Sequence, residues 1–397
     1  MKTPIITSLI DTDLYKATMA MAALHQMPGT MARSRFVCRS KIDLRPYADE
    51  IRVELDQLKN LSFQPKELQG LKEIRFMKPD FLSFLRNFRL DTACLEYSER
   101  DDNLCIEASG AFIDQTWFEI PVLEIVAEVY HRNTTPNPDF NGAEKRLLDK
   151  CAMIRKASGE NPGMTFRLME FGTRRRFSGA WQRRVVEILK NEIPDQLFGT
   201  SNMMLSQEFG IKAMGTMAHE WLQAAQGSHV RLSESQRYAL ELWAREYRGD
   251  LGIALTDIFG MDVFLKDFDL YFAKLFDGGR HDSGCPYQWT EKFLAHYRKL
   301  NIDARTKAAV YSDGLDVPKA LDLWLKYEPQ IRTSYGIGTN LTCDIPGVTP
   351  LQIVMKMVNC NGHPTAKESD SPGKGICDDR FFHDYLVNTV IANKLKS

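Results

Sequence analysis

Between residues 165 and 335 the sequence keeps one rhythm. Short apolar runs at 166–171, 196–198, 211–214, 251–255, 273–276, 308–311 and 331–335 alternate with stretches whose apolar residues recur at helical spacing. A short apolar run bounded by helices suits a strand covered on both faces, and strands separated by helices run parallel. Two of the helices carry start signals: Trp181, Val185, Ile188 and Leu189 share a face after Ser178, and Phe293, Leu294, Tyr297 and Leu300 share one after Thr290. The pattern is α/β, and about seven such strands can close a (β/α) barrel or form an open doubly wound sheet. Periodicity does not choose between them.

The flanks read differently. "IPVLEIVAEVY" (120–130) reads as a β-rich run, and "HRNTTPNPDFNG" (131–142) has the Pro, Asn and Gly content of a loop or boundary. Near the end, Leu351, Ile353, Met355 and Met357 alternate before "NCNGHP", the pattern of a hairpin that returns to the N-terminal part. The expected organisation is a mixed α+β domain at 1–140, an α/β barrel domain at 141–345 and a returning C-terminal segment at 346–397. The 51 Lys and Arg against 52 Asp and Glu give a net charge of -1, so no global field favours nucleic acid or an anionic membrane. The 8 cysteines contain no C-x-x-C pair, which suits reduced thiols and neither a zinc ribbon nor a disulfide framework. No apolar run approaches the roughly 18 residues needed to span a bilayer. A soluble cytoplasmic protein is expected.

Polar clusters fall where strands end and helices begin, the place where α/β folds build sites. They are "EFGTRRR" (170–176), "GTSN" (199–202), "GTMAHE" (215–220), "LTD" (255–257), "GGRHDSG" (278–284), "SDGLD" (312–316) and "GIGTN" (336–340). "SDGLD" feeds a helix for which Asp316 is a suitable N-cap and Pro318 fits the first turn. Two consecutive glycine loops of this kind suit a phosphate, although Gly314, Gly336 and Gly338 could each simply make a tight turn. "GGRHDSG", after the run "FAKLF", sets Arg280 two residues from Asp282: a cation that can fork onto an anion beside a carboxylate that can hold Mg²⁺ through water. In "TRRR" the positive charge would oppose the dipole of a helix start and asks for another reason.

His219 opens a helix in "GTMAHEW". Gln223 stands where H-E-x-x-H needs its second histidine, which argues against a zinc protease site. A structural histidine and a phosphoryl acceptor both remain, the second because a helix N-terminus favours neutral imidazole and offers free N–H groups to a phosphoryl group. There is no G-x-S-x-G, and "SPGKG" is not a Walker A loop.

From "TDLYKATM" (12–19) to "SDSPGK" (369–374), with "TDLYK", "EFGTRRR", "GTMAHEW", "HDSG", "SDGLD" and "GIGTNL" in order, the chain resembles the bacterial nicotinate phosphoribosyltransferases, type II phosphoribosyltransferases. The resemblance implies an irregular (β/α) barrel and a smaller N-terminal domain completed by C-terminal segments. It implies synthesis of nicotinate mononucleotide and pyrophosphate from nicotinate and 5-phosphoribosyl 1-diphosphate, the first step of NAD synthesis from nicotinate. ATP is the co-substrate, coupled through a phosphohistidine that His219 matches, with Mg²⁺ as cofactor and a homodimer whose active sites are shared. By the same resemblance Tyr15 and Phe171 sandwich the pyridine ring, and Thr216, Arg280 and Arg174 hold the nicotinate carboxylate and the pyrophosphate. Gly314, Gly338 and Thr339 receive the 5-phosphate, and Asp282 and Asp313 serve the ribose hydroxyls and the metal. Ser201 stands where nicotinamide-using relatives carry an aspartate, and Cys285 stands where an acid is expected. The alternatives are a nicotinamide-preferring relative, or an unrelated barrel enzyme or sensor that binds a sugar phosphate.

Overall fold

The computed structural model describes residues 3–371 and 375–396, so Pro372, Gly373 and Lys374 of "SDSPGK" lie outside the described residues. Six parallel strands form one sheet in the order Leu197–Thr200, Leu168–Glu170, Arg332–Ile337, Ala308–Tyr311, Gly278–His281 and Ile253–Leu255. The run at 211–214 supplies no ladder, only a parallel bridge from Ala213 to Thr200. Met214 N–H donates to Thr200 O at 2.8 Å on one edge, and Thr216 Oγ1 donates to Ile253 O at 3.2 Å on the other. This extended stretch joins the two edge strands and makes the sheet an irregular barrel.

Two strand expectations fail for physical reasons. The run at 273–276 belongs largely to the helix Leu270–Leu275, and the strand is the next segment, Gly278–His281. A Cβ on Gly278 would lie 1.9 Å from Ala308 O, so close strand approach requires a residue without apolar signal. "IPVLEIVAEVY" lies in the helix Glu119–Thr134. Ile120, Val122, Leu123, Ile125, Val126 and Val129 are all buried there, and a helix buried all round has no amphipathic period to separate it from a strand. The helix therefore runs into the segment read as loop.

Among the expected caps, Ser178 accepts from Trp181 N–H and Asp316 from Lys319 N–H. Thr290 lies inside the helix Pro286–Lys299 instead, its hydroxyl donating to Pro286 O at 2.7 Å, while Cys285 occupies the N-cap. The "TRRR" arginines start no long helix; they lie in and just after a single turn, Thr173–Arg175.

A second, antiparallel sheet has the order His363–Pro364, Ile353–Cys360, Met31–Cys38, Asn103–Ala111, Leu95–Arg100. Met355 is opposite Phe36 and Ile353 opposite Cys38, so the C-terminal hairpin pairs with the first strand of the chain. The helix Glu119–Thr134 packs against both of these strands and against the 173–175 turn. Among the described residues no helix is long and apolar enough to cross a membrane.

Candidate active site

The carboxyl ends of the parallel strands open on a cleft of about 810 Å³ lined by Asp13, Tyr15, Phe171, Arg174, Ser201, Arg280, Asp282, Gly314, Gly338 and Thr339, among others. Most of the residues singled out in the sequence therefore converge. Thr216 and Asp313 do not line this cleft; their neighbours Gly215, Ser312 and Gly314 do. The Thr216 hydroxyl donates to Ile253 O, so its expected role towards the substrate does not have a free hydroxyl behind it.

The two glycine loops differ. Gly314 has φ +57° and nothing near a hypothetical Cβ, so its backbone conformation calls for glycine while the space above it stays open. A Cβ on Gly338 would lie 2.9 Å from Phe171 O, and one on Gly336 would lie 2.3 Å from the Phe171 ring. These two glycines seat Phe171.

Tyr15 and Arg174 line the same cleft. The Arg174 guanidinium lies 5.6 Å from the Tyr15 ring centroid and 3.7 and 3.8 Å from carboxylate oxygens of Glu119 and Asp13. Beneath, the fully buried Lys16 pairs with Glu119 at 2.6 Å and also with Glu220, and Tyr15 donates to Glu119 at 3.2 Å. Burial opposes the charge on Glu119, but Lys16 and Arg174 outweigh it and hold its pKa at about 2.

A smaller chamber of about 380 Å³ adjoins the cleft and shares Tyr15, Arg174, Arg280 and Asp282 with it. His219, the first residue of the helix His219–Gln226, lines this chamber. Its Nε2 lies 2.7 Å from Asp257 Oδ1 and its Nδ1 3.8 Å from Asp282 Oδ2. The other Asp257 oxygen accepts from Ser283 Oγ at 2.7 Å and pairs with Lys367 Nζ at 2.8 Å. Burial and the Lys367 charge lower the His219 pKa to about 4 against the pull of Asp257, while His219 and Lys367 overcome burial to keep Asp257 ionised. The hydrogen-bond pattern assigns the proton to Nε2, which leaves the Nδ1 lone pair free on the Asp282 side.

Cations surround the same chamber. Arg280 Nε is buried without a hydrogen-bond partner among the described residues, and burial pushes the Lys356 ammonium down to about 8. An anion arriving here would meet donors that the protein does not itself satisfy.

His219, Asp257 and Asp282 offer ligand atoms within 4.8 Å of one another, and Asp313 is not in that group. Asp257 is already taken up by three partners, and Mg²⁺ prefers oxygen ligands to imidazole. Among the described residues Asp282 accepts only from Ser312 Oγ, at 2.8 Å, and Arg280 outweighs burial to hold it ionised at about 2. The set fits an Mg²⁺ that takes one carboxylate here and keeps water and substrate oxygens elsewhere.

The family model for the nicotinate phosphoribosyltransferase (NAPRTase) family matches residues 166–393, and that for its N-terminal domain matches residues 10–127. The chain belongs to this family. It is 50% identical over 382 residues to the nicotinate phosphoribosyltransferase of Ectopseudomonas mendocina, with 96% of each chain covered. It is 49% identical to that of Bordetella pertussis, covering 96% of this chain and 94% of the relative. Among solved structures, the nicotinate phosphoribosyltransferase of Vibrio cholerae aligns with TM-score 0.93 at 37% identity over 99% of this chain and 97% of its own. That of Porphyromonas gingivalis aligns with TM-score 0.91 at 33% identity over 97% and 100%.

Within this family frame several site residues carried no role from the sequence. Asp257 closes "LTD", whose strand-end position was a signal without a chemistry attached. Lys356 was visible as a lone charge in the alternating strand "IVMKMVNC". Asp13 and Lys16 lie in the "TDLYK" motif, and only the fold brings them to Ser201 and Glu220.

Proposed function

We propose that this chain joins nicotinate to 5-phosphoribosyl 1-diphosphate, releases pyrophosphate, and couples the reaction to ATP hydrolysis through a phosphohistidine at His219. The reading includes Mg²⁺, a homodimer and a cytoplasmic setting. One observation carries it. A neutral imidazole, its Nε2–H bound by Asp257, opens its other nitrogen on a chamber that shares Arg280 and Asp282 with the glycine-loop cleft.

In this mechanism Phe171 and Tyr15 hold the pyridine ring, and Arg174 offers its guanidinium to the carboxylate. The Gly314 loop and Thr339 take the 5-phosphate on backbone N–H groups and a hydroxyl. Loss of pyrophosphate develops positive character at ribose C1, and Arg280 and Lys356 take up the leaving negative charge while the pyridine nitrogen attacks. Mg²⁺, held by Asp282 and the substrate, would neutralise part of that charge. In the coupling step the His219 Nδ1 lone pair attacks the γ-phosphorus of ATP, ADP leaves, and Asp257 balances the charge gained by the ring. Water later hydrolyses the phosphohistidine.

Asp13 in the pyridine cleft gives one support to a nicotinamide-preferring reading, since a carboxylate can accept from an amide NH₂. Product analysis with nicotinate, nicotinamide and quinolinate, each with 5-phosphoribosyl 1-diphosphate, separates the readings. Nicotinate mononucleotide as the main product supports the first, and nicotinamide mononucleotide supports the second. No nucleotide from any of them would exclude both.

A further inference from the structure

The geometry points to Glu170 as a positioning residue that must be ionised to hold the aromatic wall of the pyridine site, so that nicotinate binding weakens when this acid takes up a proton. The inference rests on the nicotinate reading above.

Glu170 ends the strand Leu168–Glu170, directly before Phe171, and is fully buried. Its carboxylate accepts from Gly172 N–H, from Thr200 Oγ1 at 2.6 Å and from Gln182 Nε2 at 3.1 Å. Each donor has its direction fixed elsewhere. Gln182 Oε1 accepts from Arg176 Nη1 at 3.0 Å, which turns the amide NH₂ to Glu170. Thr200 Oγ1 accepts from Asn202 N–H at 3.1 Å, which sends the hydroxyl proton to Glu170. Gly172 cannot shift freely, because even a Cβ there would lie 2.1 Å from Thr342 Oγ1.

Three donors converge on one acid, and a proton on that acid would displace one of them. Among the described residues no cation pairs with Glu170. The nearby Arg176 is taken by Asp11 at 2.8 Å and Glu124 at 3.1 Å, and Arg174 leans to Glu119 and Asp13. Asp13 adds repulsion, so burial and Asp13 together prevail over the three hydrogen bonds and the acid titrates at about 7.

The consequence reaches two residues of the cleft lining, Phe171 and Ser201. Gly172 and the Phe171 backbone, whose N–H donates to Ile337 O at 2.9 Å, set the ring that covers the pyridine. Thr200 precedes Ser201. Losing the Gly172 or Thr200 contact therefore loosens Phe171 or Ser201.

Stability moves in the opposite direction from binding. With a folded-state pKa raised from 4.5 to about 7, the protonated acid favours the fold at low pH, and that contribution is lost as pH rises through about 7. Glu170→Gln should then melt no lower than wild type at pH 8 while binding nicotinate worse, a split that a packing role does not produce.

The test is nicotinate KM and kcat from about pH 6 to 8.5 at saturating 5-phosphoribosyl 1-diphosphate, with melting temperatures, for wild type, Glu170→Gln and Thr200→Val. Wild-type KM should rise as pH falls below about 7. Glu170→Gln should raise KM at pH 8 by roughly tenfold, flatten its pH dependence and change kcat less than KM. Thr200→Val, which removes a donor to the ionised form, should shift the midpoint upward. A wild type that forms no nicotinate mononucleotide removes the reading beneath this inference. An active wild type removes the inference alone if Glu170→Gln keeps KM within about twofold, or if its KM rises only together with a lower melting temperature.

Discussion

His219 Nε2 and Asp257 Oδ1 lie 2.7 Å apart, both buried, with Lys367 2.8 Å from the other Asp257 oxygen. This pair leaves Nδ1 as the imidazole nitrogen with a free lone pair, and it is the relationship on which the proposed ATP coupling rests. His219→Ala and His219→Asn should abolish acid-labile label from γ-labelled ATP while leaving ATP-independent nucleotide synthesis measurable. Asp257→Asn keeps the shape but lets an amide present either end to the ring, so phosphoenzyme formation should fall by roughly a hundredfold or more. Normal labelling in either His219 variant removes the assignment.

Lys356 sets an alkaline limit. Burial lowers its pKa to about 8, so its positive charge is present below that pH and lost above it. Affinity for pyrophosphate should decline as pH rises through about 8, and Lys356→Met should bind it weakly at all pH values with that decline gone. Titration of pyrophosphate from about pH 7 to 9.5 reads this directly. A decline retained in Lys356→Met would assign it to another group.

The glycine loops should separate by substrate. Gly314→Ala meets no neighbouring atom but must hold φ +57°, which costs about 1 kcal/mol and puts a methyl group at the expected phosphate position. Its KM for 5-phosphoribosyl 1-diphosphate should rise with little change for nicotinate. Gly338→Ala presses on Phe171 O, so it should raise the nicotinate KM as well and lower the melting temperature. Equal effects of the two substitutions on both substrates would show that the loops act as one unit.

How much of this was legible in the sequence depended on which physical signal each residue left. Strand-end clusters announced the cleft because polar residues following apolar runs have few other places to go in an α/β fold. The strand Gly278–His281 left no signal, since close packing against Ala308 selects glycine and erases hydropathy. The helix Glu119–Thr134 left the wrong one, being buried on every side from Glu119 to Ala127. The "TRRR" charges found their reason only in three dimensions, where Arg176 forks onto Asp11 and pairs with Glu124 beneath the cleft. Partner choice across 165 residues, as between Asp11 and Arg176, is set by topology, and periodicity does not carry it.

The position expected to select the substrate shows the same limit and yields the last prediction. By the resemblance, Ser201 stands where nicotinamide-using relatives carry an aspartate, but its hydroxyl donates to Asp13 Oδ1 at 2.6 Å, so a carboxylate already stands in the cleft wall. Burial raises the Asp13 pKa, while Arg174 and the Ser201 hydroxyl work to keep it ionised. Ser201→Asp would remove that donor and set a second carboxylate against the first. Two such charges about 4 Å apart repel by up to about 4 kcal/mol at an effective dielectric of 20, enough for the pair to retain one proton. When both are ionised, the pair also opposes the carboxylate of nicotinate. The variant should therefore lose roughly tenfold or more in nicotinate kcat/KM at pH 8, recover part of it as pH falls and the pair takes up its proton, and leave nicotinamide use unchanged or modestly improved. Steady-state kinetics with both pyridines at pH 6 and pH 8 provide the comparison. Nicotinate kinetics that match wild type at pH 8 would mean that Ser201 does not meet the carboxylate at all, and selectivity would then rest with Arg174, which lies 3.8 Å from the other oxygen of Asp13.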